Sequence, residues 1–270
     1  MRINEIIAGI EGVAAGAIAT LRLPVNRRCH WLKLVALANL TAGGTAITDV
    51  ASIIDTVEIY VSGKIQRNVT AAWLKKWAAF NGLTNVANTC AIYFSEPARA
   101  SVTDEQASAW DLTDESAFTL RVKFKPGIFD VTLTGTMCWD AGHARDSRGN
   151  IVKTVLRQLP YNQNASSGTF DVVNLPIDRP INRIYLDGPT ITKVEVHADS
   201  LRVHDAVTAM NSAILGDYKL DGSQFGYPVV FEANQQLFDN LQVQRDLLLR
   251  ISSNGGALSI VHETMAHAFE

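Results

Sequence analysis

The run His262-Glu263-Thr264-Met265-Ala266-His267 carries the residue types of a zinc hydrolase. In such a site the two histidines stand four apart on one helical face, with the glutamate as base. Here they are five apart, in a segment that reads as a strand, where an odd separation sends side chains to opposite faces. They cannot share a metal without a bulge. Cys29-His30, and Cys138 with His143, lack the CxxC partner of a structural zinc site, so small buried cysteines are the expectation. Thr103-Asp104-Glu105 and Asp111-Leu112-Thr113-Asp114-Glu115 offer oxygen ligands of the kind calcium takes. Helix-start capping and a solvated loop explain the same residues, and that reading is preferred. The GxSxG, GxxxxGK[ST] and GxGxxG patterns are missing, and with them the usual hydrolase, nucleotide and dinucleotide signals. No catalytic or cofactor-binding residue is assigned, metal ligands are left unassigned, and an enzyme is not expected.

Trp73 and Trp77 lie on or beside the apolar stripe of a helix, which makes them core residues before sugar-binding ones. Asn39, Asn68 and Asn164 begin glycosylation-type triplets, read as chance matches because no secretory signal precedes them.

The elements around these residues belong to an ordinary globular chain of 270 residues, 47% hydrophobic and 19% charged. That length holds two β-domains, each able to bury a core. A net charge of -3 and a pI near 6.1 argue against a general nucleic-acid surface, which needs clustered lysine and arginine. Three widely spaced cysteines, Cys29, Cys90 and Cys138, imply no disulfide framework and synthesis in a reducing cytoplasm. Glu5 and Glu11 interrupt Met1 to Leu23, which therefore does not read as a signal peptide. No stretch reaches 18 uninterrupted apolar residues, so no transmembrane helix and a soluble product are expected.

Six features recur in the same order in both halves. Gly16 precedes Leu23-Pro24 by seven residues, as Gly168 precedes Leu175-Pro176. The alternating strand Val57 to Val61 is echoed by Val194 to Ala198, with apolar side chains at the first, third and fifth positions. A helix follows each. The first is capped by Thr70, buries Leu74, Trp77 and Ala78, and stops at Asn81-Gly82. The second is expected to start at Asp205, bury Val207, Met210 and Ile214, and stop at Gly216. Then Ile92 to Glu96 matches Val229 to Glu232, each followed by a polar segment of helical character. Leu120-Arg121-Val122 matches Leu249-Arg250-Ile251, and Thr136-Met137 matches Thr264-Met265.

The pattern implies one β-sandwich plan encoded twice, over 1–140 and 150–270, joined by a Gly- and charge-rich linker at 141–149. In Asp130 to Trp139 the residues Val131, Leu133, Met137 and Trp139 share one face and Thr132, Thr134 and Thr136 the other, as in a sheet with one wet side. Eight strands in two Greek keys give a jelly roll. Alternation alone leaves an immunoglobulin-like sandwich open.

The order Gly…Leu-Pro, a Val-Glu-Ile strand turning at Gly63-Lys64, a helix, then Phe94-Ser95-Glu96-Pro97, resembles a known family. So does Leu156-Arg157-Gln158-Leu159 leading through a Gly/Ser turn to Asn174-Leu175-Pro176. The chain is similar, over nearly its whole length, to the double jelly-roll major capsid protein of corticovirus-type, membrane-containing icosahedral bacteriophages. That resemblance implies an all-β fold of two tandem eight-stranded jelly rolls with short helices in the connections. It implies a homotrimer that forms a pseudo-hexagonal block, tiling with neighbouring capsid trimers into an icosahedral shell over an internal lipid membrane. A penton protein at the vertices and viral membrane proteins would be further partners, with no specific nucleic acid. The protein would be made in the host cytoplasm and reside in the virion. No cofactor is required; calcium, bound by some shells of this type, is allowed but assigned no ligands. A short N-terminal arm, Met1 to Ala15, would lie nearest the lipid, although Arg2 is its only basic residue. The rival readings are a tandem β-sandwich that binds or cleaves carbohydrate, and a receptor-binding spike or other minor virion protein.

Overall fold

In the computed structural model, residues 2–97, 102–142, 155–232 and 240–266 are described. They fall into two compact units, residues 2–78 with 83–156, and residues 79–82 with 157–266. Positions 143–149 of the expected linker lie outside the described residues.

The first unit runs through β1 (Ile3–Ile6), β2 (Ile18–Leu23), β3 (Arg28–Asn39), β4 (Ile54–Val61) and β5 (Lys64–Thr70) to helix α1 (Ala71–Phe80). It continues through β6 (Thr89–Tyr93), α2 (Val102–Ala107), the two-residue β7 (Trp110–Asp111), β8 (Phe118–Phe124) and β9 (Phe129–Asp140). One sheet has the order β1-β9-β3-β6, with β7 also on β3, and the other β5-β4-β8-β2. Alternation sets which side is buried. Leu21 of β2, Val57 and Ile59 of β4, and Leu120 and Val122 of β8 are fully buried, as are Leu32, Leu34 and Ile92 of the other sheet. In β9, Leu133 and Met137 are buried and Thr132 and Thr134 are exposed, the parity expected.

The second unit contains β10 (Val155–Pro160) from Arg157 onward, β11 (Gln163–Val172), β12 (Ile181–Asp187), β13 (Ile191–Ala198) and β14 (Leu201–Val207), then α3 (Thr208–Asp217), β15 (Tyr227–Val230) and β16 (Leu247–Ala266). β16 serves both sheets. Its residues 247–253 pair with β13, 249–258 with β11, and 259–264 with β12. The two orders are β10-β16-β12-β15 and β11-β16-β13-β14.

If the early part of β16 is matched to β8 and its late part to β9, the two units have the same eight-strand order in both sheets. That is a jelly roll, twice. The six recurrent features fall on or beside matching elements: β2 and β11, β4 and β13, α1 and α3, β6 and β15, and β8–β9 and β16.

Two expectations are corrected. The N-terminal segment is not a free arm, because Ile3–Ile6 form an edge strand on β9 and the Ile7 amide donates to the Gly135 carbonyl at 2.9 Å. Helix α3 starts at Thr208 and turns Asn211 and Leu215 inward, while Val207, Met210 and Ile214 are 50%, 57% and 41% exposed. Its inward side includes a polar residue held by a specific bond, from Asn211 Nδ2 to the Pro228 carbonyl at 2.7 Å. In α1 the expectations stand: the Trp73 amide donates to Thr70 Oγ1 at 3.1 Å, and Leu74, Trp77 and Ala78 are buried.

Candidate assembly surfaces and the groups that support them

Each roll carries a buried arginine on its third strand across from a carboxylate on its last. In the first, Arg28 and Asp140 are register partners of β3 and β9. Arg28 Nε and Nη2 donate to the two carboxylate oxygens at 3.0 and 2.8 Å, and Nη2 also reaches Gln106 Oε1 at 3.1 Å. His30 Nε2 lies 2.9 Å from Asp140 Oδ2, and the Gly142 amide donates to Oδ1 at 3.0 Å. Burial pulls the Asp140 pKa upward. The bonds from Arg28, His30 and Gly142 outweigh it and hold the carboxyl well below its ordinary range. Burial likewise lowers His30, against the opposing pull of Asp140.

In the second roll Arg183 of β12 is the register partner of Glu263 of β16, with Nε 3.8 Å from Oε1. Its guanidinium also bonds Glu232, just past β15, and donates to Asn81 Oδ1 at 3.1 Å and the Tyr185 hydroxyl at 3.3 Å. Glu263 accepts from Gln158 Nε2 at 2.5 Å and Asn182 Nδ2 at 2.6 Å. An arginine stays charged and acts as a fixed fork of donors. These clusters therefore lock strands together, and neither contains an activated nucleophile.

The residues singled out for chemistry are dispersed. His262 is buried in β16 beside the Tyr161 ring, its pKa lowered to about 4 by burial, and His267 lies outside the described residues. Cys29, Cys90 and Cys138 are free, buried thiols, and His143 lies outside the described residues. His30, read as half of an isolated pair, belongs instead to the Arg28–Asp140 cluster. Nothing in the sequence marks that link, since its members are 110 residues apart.

The described residues of the acidic runs have separate partners. The side chains of Thr103 and Asp104 lie outside the described residues, Glu105 pairs with Arg2 at 2.8 Å, and Glu115 accepts from Ser62 Oγ at 2.7 Å. Asp111 departs from the solvated-loop reading: it is buried in β7 and accepts from the Thr113 amide at 3.0 Å. Among the described residues no three His, Cys, Asp or Glu side chains are grouped to hold a metal.

Trp73, Trp77 and Trp110 are buried, and Lys33 and Arg27 lie over the faces of the partly buried Trp31 and Trp139 at 4.8 and 3.9 Å. A pocket of about 280 Å³ on the outer side of β3 and β6 is lined by Trp31, Lys33, Val86 and Tyr93 among others, and no carboxylate lines it. Glycosidic cleavage needs two carboxylates flanking the bond, so this pocket does not supply that chemistry. Large apolar side chains are exposed here, at Val35, Leu37 and Val86, and also at Leu201, Val203 and Val207 on β14 and Met210 and Ile214 on α3.

Two jelly rolls of identical strand order in one chain, each closed by a buried ion pair, define a double jelly-roll protein. The N-terminal-domain model of viral coat protein P2 matches residues 4–138, and the C-terminal-domain model of the same protein matches residues 154–267. The chain belongs to the viral coat protein P2 family. Its structure is similar to the major capsid protein P2 from bacteriophage PM2, at 19% identity and a TM-score of 0.84, covering 98% of this chain and 97% of that one. It is also similar to the STIV MCP (12% identity, TM-score 0.69, 98% and 96% covered). The Faustovirus major capsid protein gives 7% identity and a TM-score of 0.60, with 98% and 90% covered. No curated protein sequence matches the chain.

Proposed function

We propose that this coat protein is the major shell subunit of an icosahedral virion, acting as a homotrimer whose six rolls make a near-hexagonal tile. One observation carries the reading: the same eight-strand order is built twice in a single chain. Two similar but non-identical rolls per copy let a three-fold assembly present almost six-fold edges to its neighbours. Contacts within the trimer are then large and apolar, and contacts between trimers smaller and more polar, so that misplaced tiles can leave. A separate vertex protein fills the five-fold positions, where a six-lobed tile does not fit, and the shell encloses a lipid membrane together with viral membrane proteins. No helix among the described residues is long and apolar enough to cross a membrane, in keeping with a subunit that tiles outside the lipid. The role is structural, without catalysis, specific nucleic-acid binding or a required cofactor.

Native mass measurement with low-resolution imaging of the purified protein tests this reading. A trimer of hexagonal outline that persists in a chelator is the expected result. A stable monomer with affinity for glycans would overturn it in favour of the carbohydrate reading.

A further inference from the structure

The pocket on the outer side of β3 and β6 lies wholly within the first unit. Trp31, Lys33 and Val35 alternate outward along β3, with Tyr93 opposite Trp31 on β6 and Thr136 opposite Lys33 on β9. The segment between α1 and β6 adds Val86 to the lining. Directly opposed side chains stand about 5 Å apart at Cβ, and diagonal neighbours such as Lys33 and Tyr93 about 7–8 Å, which a long side chain spans. Lys33, on the middle strand of the three, therefore commands the pocket.

Two polar groups there have no partner among the described residues. Lys33 Nζ lies over the Trp31 ring at 4.8 Å and makes neither an ion pair nor a hydrogen bond. The Tyr93 hydroxyl donates to no described group, although the residue is only 9% exposed and its ring stacks on Trp77. Burial raises the pKa of that hydroxyl, so it keeps its proton at neutral pH. The lining holds no Asp, Glu, Arg or His. An ammonium and a phenol are both donors, so what the pocket lacks is a negatively charged acceptor.

The charge count narrows the class. One ammonium balances one negative charge, and a dianion such as a phosphate monoester would leave a second charge uncompensated beside apolar walls, which is costly. Trp31, Val35 and Val86 call for an apolar body behind the charged group. A volume of about 280 Å³ is at the lower edge for small-molecule sites and suits a single ring or a short chain.

We infer that this pocket binds a small monocarboxylate with a compact apolar body. Its carboxylate is held by Lys33 Nζ and the Tyr93 hydroxyl, and its apolar part lies along Trp31 and Val86. The site belongs to the first roll alone and is independent of the trimeric reading above.

Phenylacetate, phenylacetamide and phenyl phosphate, titrated into the purified full chain by isothermal calorimetry, test the assignment. Phenylacetate should bind saturably. Phenylacetamide, of the same shape without the charge, should bind at least about tenfold more weakly, because hydrogen bonds to a charged group are the stronger ones. Phenyl phosphate should also bind more weakly than phenylacetate. Lys33→Met should weaken phenylacetate by about the same factor as loss of the charge does and leave phenylacetamide unchanged. If Lys33→Met lacks the far-UV circular dichroism of the wild type, the acid–amide comparison on the wild type decides alone. No saturable phenylacetate binding, equal affinity for acid and amide, tighter binding of phenyl phosphate, or undiminished phenylacetate binding by folded Lys33→Met would each overturn the site.

Discussion

Arg28 and Asp140, 112 residues apart in sequence, stand opposite each other in the β3–β9 pairing and share two parallel hydrogen bonds, at 3.0 and 2.8 Å. Both side chains are about nine-tenths shielded from solvent. A pair so placed contributes less as net attraction than as a constraint, since the desolvation of two ions offsets much of their attraction.

Removing one partner is therefore worse than removing both. Arg28→Met should destabilise the first roll by about 3–5 kcal/mol, because Asp140 is left buried without its main donor. The double change Arg28→Met with Asp140→Leu should recover most of that loss. Denaturant midpoints of the two variants check it, and equal losses in single and double variants would contradict the argument.

Stability should rise with pH between about 4 and 6.5 because of buried histidines. In an unfolded chain imidazole titrates near 6.5, whereas burial lowers His262 to about 4 and also lowers His30 and His204. Within that window the unfolded state takes the proton first. The contribution is complete above the unfolded pKa and is lost as pH falls through the folded one, on the order of 3 kcal/mol for His262. Carboxylates held low, such as Asp140, lose their contribution only below about 4, outside this window. Melting temperature against pH for wild type and His262→Gln checks it, with a flatter slope expected in the variant.

Gly188 is expected to resist replacement more than Gly168 in the same roll. Both have positive φ, at 129° and 98°, so alanine at either position costs about 1–3 kcal/mol in backbone strain. A Cβ at Gly168 meets open space, but at Gly188 it would lie 2.1 Å from the Ala257 carbonyl oxygen, a backbone atom of β16 that cannot step aside. Gly188→Ala should thus lower the unfolding midpoint clearly further than Gly168→Ala, and equal shifts would show that β16 yields.

Much of this architecture was legible because it depends on period and order. The parity of Val57 to Val61 and of Val194 to Ala198, and the Thr70 cap, are local signals that the sheets and helix preserve. Helix α3 was misread for a physical reason. Its apolar residues Val207, Met210 and Ile214 make the pattern of a core stripe, while the inward residue Asn211 is polar and satisfied by the Pro228 carbonyl. An apolar stripe left exposed and an apolar stripe in the core look alike in sequence. β1 was missed because four residues are too few to show a period, and only its pairing to β9 makes it a strand. The ion pairs were illegible because register across more than a hundred residues is not written in any local segment.

The passage between sheets differs in the two rolls. In the first it runs through the exposed pair Pro126–Gly127 between β8 and β9, and in the second it happens inside β16, near Gly255 and Gly256. A solvated turn absorbs inserted residues cheaply, whereas a continuous paired strand cannot lengthen without shifting every partner downstream. Grafted peptides and natural length variation thus have room at the Pro126–Gly127 corner of the first roll and none at its counterpart in the second, so the two copies of one plan differ in how freely each can be decorated.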